Sequence, residues 1–597
     1  MSIDMKLSPV VLPFDEIKGQ KLTAEQRSYL EGLFAGLANR GYRFADLLPN
    51  PATQPAVLSA PKPENLIFEE RIKRELHPLD AFSLLLEHAA TNKSPERENI
   101  FRFKWNGLFF LTPNKEAFMA RLRIPAGQLK TFQWREIAHV AAELTTQYIQ
   151  VTTRANLQLR LIAMRDAPEV LRRIQSVGLH TRGAGADNIR NLTASPTAGI
   201  DPHELIDTGP FCQQLSQLIL NDRSFYDLPR KFNIALDGGG LVDTVEDTND
   251  VGLKAVRVTT GSAEVKPGIY FRVKLGGASG HQAFARDLGV LVRPEELLRV
   301  TMALVRVYIE NGNRGDRKKA RLKHLLENWS LERYLGETEK LLGCQLLRDP
   351  LDANGHSRWA VPAALPTVPH PQVGVFPQKQ PGFSYIGVAL PVGQLTPKQM
   401  LRLADLVDSH AGGEIRLTVW QNLLIPHVPN AKVEALKKGL VKLGFAWKQS
   451  NVRSGVVACT GNAYCKFAAT NTKAHALALA EYLEKRFQLD HPINIHVTGC
   501  PNSCAQHYIG DIGLLGAKVK SAGESVEGYH VFVGGGFGDN QAVGRQVFQG
   551  IPFGQLKETL EQMLQGYLRH RNPGEGFQKF TARHDLNSLQ AIFSNHE

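Results

Sequence analysis

The chain has 597 residues, 43% apolar and 21% charged, with a net charge of +12. That balance is ordinary for a soluble globular protein, and the length exceeds a single core and divides into roughly three or four units. No apolar run is long enough to cross a bilayer, so a membrane role is excluded. The first residues, MSIDMKLSPVVLPFDEIKGQ, lack the basic start, apolar centre and cleavage site of a secretory signal. The expected setting is the cytoplasm, where the six cysteines stay reduced. The basic balance favours anionic ligands or an acidic partner. Nucleic acid would fit that charge, but no zinc-finger spacing or RNA-recognition signature appears.

Residues 1–100 read as a helical arm and linker. Helical spacing in TAEQRSYLEGLFAGLANR (23–40) gives way to the Pro-rich PNPATQPAVLSAPKP (49–63), then to a charged helical run ending near residue 92. Residues 121–161 and 387–427 then align without a gap at an offset of 266. Pro125 falls on Pro391, Gly127 on Gly393, Gln128 on Gln394, Leu129 on Leu395, Gln133 on Gln399, Ala138 on Ala404 and Asn156 on Asn422. Each copy reads as a strand, a helix after Gly-Gln-Leu, and a second strand. A weaker pairing sets YFRVKLGGASG (270–280) against YHVFVGGGFG (529–538). The fold expected is α+β, with duplicated αβ half-repeats related by a pseudo-twofold axis.

Between the copies, NGNRGDRKKARLK (311–323) gathers Arg314, Arg317, Lys318, Arg321 and two further lysines, either a solvated basic helix or a site for anionic groups. Past the second copy, VACTGNAYCKFA and VTGCPNSCAQ place Cys459, Cys465, Cys500 and Cys504 as C-x5-C and C-x3-C, joined by an amphipathic helix in TNTKAHALALAEYLEKRF. Four clustered cysteines in a reducing compartment point to a metal. The first pair is wide for structural zinc, and a 4Fe–4S cluster takes wider, unequal spacings. The cluster is favoured, with a zinc-organised nucleic-acid-binding module as the alternative of another class. No G-x-G-x-x-G follows a strand, so no flavin or nicotinamide module is expected.

ACTGNAYC with TGCPNSC resembles the motif of assimilatory nitrite and sulfite reductases, and the likeness runs from about residue 95, FRFKWNGLFFLTP included. It implies that family's three-domain architecture, with a first ferredoxin-like half-repeat at 101–170 and a first sirohaem-binding αβ domain at 171–350. A second half-repeat follows at 365–435 and a cluster-bearing αβ domain at 436–597. It implies one 4Fe–4S cluster on Cys459, Cys465, Cys500 and Cys504, with Cys504 bridging to a sirohaem iron. Arg121, Arg190, Lys231 and Asn233 match the anion pocket. Arg154, Asn156 and Gln158, alternating on one strand face, are expected to bind sirohaem carboxylates, as are Arg230, Arg314, Arg317, Lys318, Arg321 and Asn502. Lys-x-Asn at 231–233 points to nitrite, where sulfite enzymes tend to carry Lys-x-Lys. The implied activity is reduction of nitrite to ammonium by ferredoxin or flavodoxin electrons, in a monomer. Sulfite reduction is the alternative, and a precorrin-3B synthase-like monooxygenase ranks lower.

Overall fold

The computed structural model describes residues 16–17, 20–21, 66–111, 116–145, 148–259, 265–349, 357 and 359–594. The helix expected at 23–40 and the linker at 49–63 lie outside these residues. The chain forms two compact units, Met1–Leu66 and Ile67–Glu597. In the first, Glu16–Ile17 pairs antiparallel with Gln20–Lys21. All that follows concerns the second.

The charged run before residue 92 forms the helices Phe68–Glu75 and Phe82–Thr91. The two half-repeats then make two five-stranded sheets. The first holds Leu108–Phe110, Phe118–Arg121, Leu157–Ile162 and Ile149–Val151, closed by Gln394–Leu395 from the second copy. The second holds Gly374–Pro377, Phe383–Val388, Leu423–Pro429 and Glu414–Leu417, closed by Gln128–Lys130 from the first. Each Gly-Gln-Leu segment therefore serves the other copy's sheet, with Leu395 opposite Ile149 and Leu129 opposite Ile415. The helices after them, Thr131–Leu144 and Pro397–His410, meet where Trp134 Nε1 donates to the Met400 carbonyl at 3.0 Å, its partner at the same offset of 266.

That offset persists down to single hydrogen bonds. Gln133 Oε1 accepts from the Lys130 amide and Gln399 Oε1 from the Thr396 amide, both at 3.0 Å, each opening a helix. Gln133 Nε2 donates to the Val177 carbonyl and Gln399 Nε2 to that of Leu443. The Arg123 amide donates to the His180 carbonyl at 2.6 Å, and the Ala389 amide to that of Ala446 at 2.8 Å. Even the left-handed Ala126 and Val392 match, at φ 56° and 45°.

The two αβ domains repeat one topology. Thr193–Ala194, Ile234–Asp237 and Val251–Val258 lie parallel, and Gly268–Leu275 and Arg286–Val292 return antiparallel. Val456–Ala458, Ile495–Thr498, Ile512–Ser521, Glu524–Val533 and Arg545–Pro552 do the same. Both central strands, IALD and IHVT, are buried at every position, because a parallel strand is covered on both faces. Cores of Leu, Ile, Val and Phe fill the space beneath the helices Gly209–Asn221 and Leu297–Asn311 in one domain, Thr472–Arg486 and Phe553–His570 in the other. Burial of each such side chain contributes about 1.5–3 kcal/mol. The loops beyond the carboxyl ends of such parallel strands are where ligands bind in open αβ sheets.

Candidate cofactor and anion site

The four cysteines sit on two such loops. Cys459 follows Val456–Ala458, its amide donating to the Val497 carbonyl at 3.0 Å. Cys465 closes a tight turn on the Gly461 carbonyl at 3.0 Å. Gly461 has φ +73°, and a Cβ there would lie 2.8 Å from the Thr472 amide nitrogen, so glycine is required. Cys500 and Cys504 follow Ile495–Thr498. Their loop is held by His496 Nδ1 on the Ala505 carbonyl (2.8 Å), by Ser503 Oγ with His507 Nδ1 (2.8 Å) and by the Ala505 amide on Thr498 Oγ1 (3.2 Å). Both histidines are held neutral by burial, His496 at about 4 and His507 at about 3. They brace the loop.

All four thiols line one cavity of about 710 Å³. No three of them stand within 4.8 Å of one another, whereas tetrahedral zinc draws its sulfurs to roughly 3.8 Å. The set is too open for zinc and suits a larger cluster. Burial pushes the Cys504 thiol up to about 11, with Lys231 opposing, and raises Cys500. Neither is a thiolate at neutral pH until a metal displaces its proton.

The opposite wall is cationic. Arg121, Arg190, Lys231, Asn233, Arg154, Asn156 and Gln158 all line this cavity. Arg121 Nη1 and Arg190 Nη1 both donate to the Ala184 carbonyl, at 3.2 and 3.0 Å, and Arg190 Nη2 donates to that of Ala186 at 2.7 Å. Arg154 is fixed by Asn249 Oδ1 and the Asn191 carbonyl, both at 2.7 Å. Burial lowers Arg121, and Cys504 opposes that shift. Burial, then Arg321 and Arg190, bring Lys231 down to about 7, against Cys504 and Asp250. Lys231 thus titrates near neutrality beside the last cysteine. Arg154 Nε, Arg190 Nε, Gln150 Nε2 and Asn233 Oδ1 are buried with no hydrogen-bond partner. A polar, anionic occupant fits this cavity.

Six residues expected to hold sirohaem do not line the cavity. Arg314 pairs with Glu70 (3.0 Å) and Asp227 (3.2 Å), Arg317 grips both oxygens of Asp187 at 2.8 Å, and Arg321 pairs with the buried Asp250 at 2.8 Å. Arg230 stands 3.7 Å from Asp187, Lys318 is on the surface, and Asn502 is exposed on the cysteine loop. Three arginines of the basic run are thus paired with carboxylates of the chain itself. The cavity instead recruits Lys104, Gln150, Arg160 and Lys473. Arg160 donates to Gln150 Oε1 at 2.9 Å and to Thr460 Oγ1 at 2.7 Å, and Lys473 to the Ala458 carbonyl at 3.3 Å. Arg160 lies two residues beyond Gln158 on the strand Leu157–Ile162 and could have been found by that spacing. Lone Lys104 and Lys473 carry no sequence signal.

Residues 185–346 and 449–595 match the nitrite and sulphite reductase 4Fe-4S domain, and 112–177 and 376–443 the nitrite/sulfite reductase ferredoxin-like half domain. A ferredoxin–nitrite reductase of Synechococcus elongatus is 37% identical over 471 residues, 78% of this chain and 88% of that protein. The chloroplastic ferredoxin–nitrite reductase of Spinacia oleracea is 33% identical, covering 83% of this chain and 84% of its own. The solved structure of the Mycobacterium tuberculosis NirA protein superposes with a TM-score of 0.81 at 29% identity, covering 88% of this chain and 97% of that one. With four thiols and a ring of buried cations around one cavity, and with these matches along most of its length, the chain belongs to the nitrite and sulphite reductase family.

Proposed function

We propose that this protein reduces nitrite to ammonium, taking one-electron equivalents from an acidic donor of the ferredoxin kind. The observation that carries the reading is the convergence of Arg121, Arg190, Lys231 and Asn233 on the cavity that Cys504 also lines. Cys459, Cys465, Cys500 and Cys504 would hold a 4Fe–4S cluster and the cationic residues a sirohaem, which together would relay the donor's electrons to the anion. The residues supply charge, protons and position. Arg121 and Arg190 hold the anion's oxygens, and Lys231, near pKa 7, delivers protons at neutral pH. Nitrite, eight protons and six electrons give ammonium and two waters, so a proton source that recharges near neutrality is required. Arg154, Gln158, Arg160, Lys104 and Lys473, which line the same cavity, would hold the sirohaem carboxylates.

The amide of Asn233, in place of a fourth cation beside Arg121, Arg190 and Lys231, suits a monoanion over the more highly charged sulfite. Curated relatives are named for ferredoxin and nitrite, and the +12 charge supports an acidic donor through electrostatic steering. Four unpaired metal-binding thiols suit a reducing, cytoplasmic setting. Among the described residues no helix is long and apolar enough to cross a membrane. In this reading the chain works as a monomer divided at 101–170, 171–350, 365–435 and 436–597. Steady-state reduction of nitrite and of sulfite with dithionite-reduced viologen tests it. A much higher kcat/KM for nitrite is expected, and equal or better use of sulfite would overturn the choice of anion.

A further inference from the structure

Arg121 and Arg123 lie two residues apart in extended chain and leave it on the same face. Arg121 lines the cavity, whereas Arg123, only 2% exposed, does not and instead borders a separate, smaller one. Among the described residues no carboxylate pairs with the Arg123 guanidinium. Its Nε donates to the Arg182 carbonyl at 3.1 Å, Nη2 to that of Ile189 at 2.5 Å and Nη1 to that of Arg190 at 3.5 Å. Burial lowers its pKa. A buried cation compensated by carbonyls alone is costly to keep and calls for a reason.

The internal repeat acts as a control. Ala389, the counterpart of Arg123, makes the same backbone bond to Ala446 that Arg123 makes to His180. An alanine suffices for that bridge, so the arginine side chain serves something else. What it clasps is the segment 182–190, by carbonyls at both ends. The middle of that segment presents the Ala184 carbonyl, on which Arg121 and Arg190 meet at 3.2 and 3.0 Å. Gly183 leaves room for the clasp, because a Cβ there would lie 2.8 Å from Arg123 Nη2.

We propose that Arg123 is a positioning residue for the anion pocket. Fastened to both ends of the 182–190 segment, it fixes the carbonyl that sets the spacing of Arg121 and Arg190. It touches neither anion nor cofactor. The proposal rests on the reading that these two arginines bind the substrate anion.

The test uses oxidised holoprotein of wild type, Arg123→Met, Arg123→Lys and Gly183→Ala. Cofactor load is read from iron per chain and visible absorbance. Nitrite and sulfite are then titrated in by visible spectrum, with KM and kcat measured alongside. At full load, Arg123→Met is expected to bind nitrite about tenfold to a hundredfold more weakly, the range set by an ångström-scale misplacement, with KM rising more than kcat falls. Arg123→Lys recovers part of the loss, since an ammonium still donates to these carbonyls. Gly183→Ala, which crowds the guanidinium and, at φ +71°, also strains the segment that it clasps, weakens binding as well. Wild-type anion affinity in fully loaded Arg123→Met overturns the proposal, as does wild-type affinity in Gly183→Ala and Arg123→Lys alike should Arg123→Met fail to load. Wild-type protein that binds neither anion overturns the function reading, a failure visible before any variant is made.

Discussion

The same loop of the same sheet has been put to opposite uses in the two αβ domains. After Ile495–Thr498, the loop carries Cys500 and Cys504. After Ile234–Asp237, its counterpart carries Asp243 and Glu246, whose carboxylate oxygens gather with that of Asp237 within 4.8 Å of one another. Lys274 Nζ sits 3.1 Å from Glu246 Oε1, and Lys254 is raised chiefly by Glu246. Burial works against the Glu246 carboxylate, but Lys254 and Lys274 hold it down to about 2. One loop carries soft thiol ligands, and the other carries carboxylates that are offset by Lys254 and Lys274 on the two strands that follow it. The half-repeats diverge in the same sense. Arg121, Arg154 and Arg160 face the cavity in the first copy, and their counterparts are Gly387, Trp420 and Pro426. The Trp420 indole donates to the Asp243 carbonyl at 3.2 Å, tying the acidic loop to the second copy. Duplication kept the backbone and its hydrogen bonds while side chains confined the chemistry to one side.

Exchanging a thiol should break that asymmetry most severely. Cys504→Ser is expected to abolish nitrite reduction and strip iron from the protein, measured by metal analysis and visible absorbance. Next comes the cation wall: Lys231→Ala should lower kcat/KM for nitrite by about a hundredfold or more with cofactors in place, as loss of a preorganised charge-stabilising group does. Lys274→Met probes the other half. Removing the lysine that ion-pairs with the buried Glu246, which Lys254 still offsets, should cost about 1–3 kcal/mol in denaturant unfolding, yet iron per folded chain should be unchanged.

A fourth change sharpens the choice of anion. Asn233→Lys should move the ratio of nitrite to sulfite kcat/KM several-fold toward sulfite, about one kcal/mol in transition-state terms. A last change concerns pH. Burial, with Glu246 and Asp243, pushes the Asp247 carboxyl up to about 7 from an ordinary value near 3.8. Between about pH 4 and 7 the folded chain keeps a proton that the unfolded chain has released, so this group's contribution to stability falls as pH rises through that window and is level above it. Asp247→Asn should keep its acceptor for the Gly538 amide and Gln541 Nε2. It should therefore raise Tm over wild type at pH 8 and leave it unchanged near pH 4.

How much of this was legible in the sequence differs by feature. The repeat was plain because its offset is gapless, but the exchange of Gln128–Lys130 and Gln394–Leu395 was not, since strands of two or three residues carry no periodic signal. The cysteine set was read from spacing, and Arg154, Asn156 and Gln158 from alternation along one strand, but the strand runs only over Leu157–Ile162 and Arg154 and Asn156 reach the cavity from the turn before it. The ion pairs of the basic run at 311–323 were not legible, because the carboxylates that Arg314, Arg317 and Arg321 meet, Glu70, Asp187, Asp227 and Asp250, are remote in sequence and adjacent only in the fold. Local charge density shows what a segment offers, and the fold decides what it meets.

The central claim is that the half carrying thiols holds an iron cluster next to a sirohaem while its counterpart holds no metal. Iron, zinc and acid-labile sulfide per chain, measured on purified protein alongside its visible spectrum, test this most directly. The account predicts about five iron and four sulfide per chain with strong visible absorption, unaffected by Asp243→Asn. Colourless protein carrying zinc on the cysteines would contradict it.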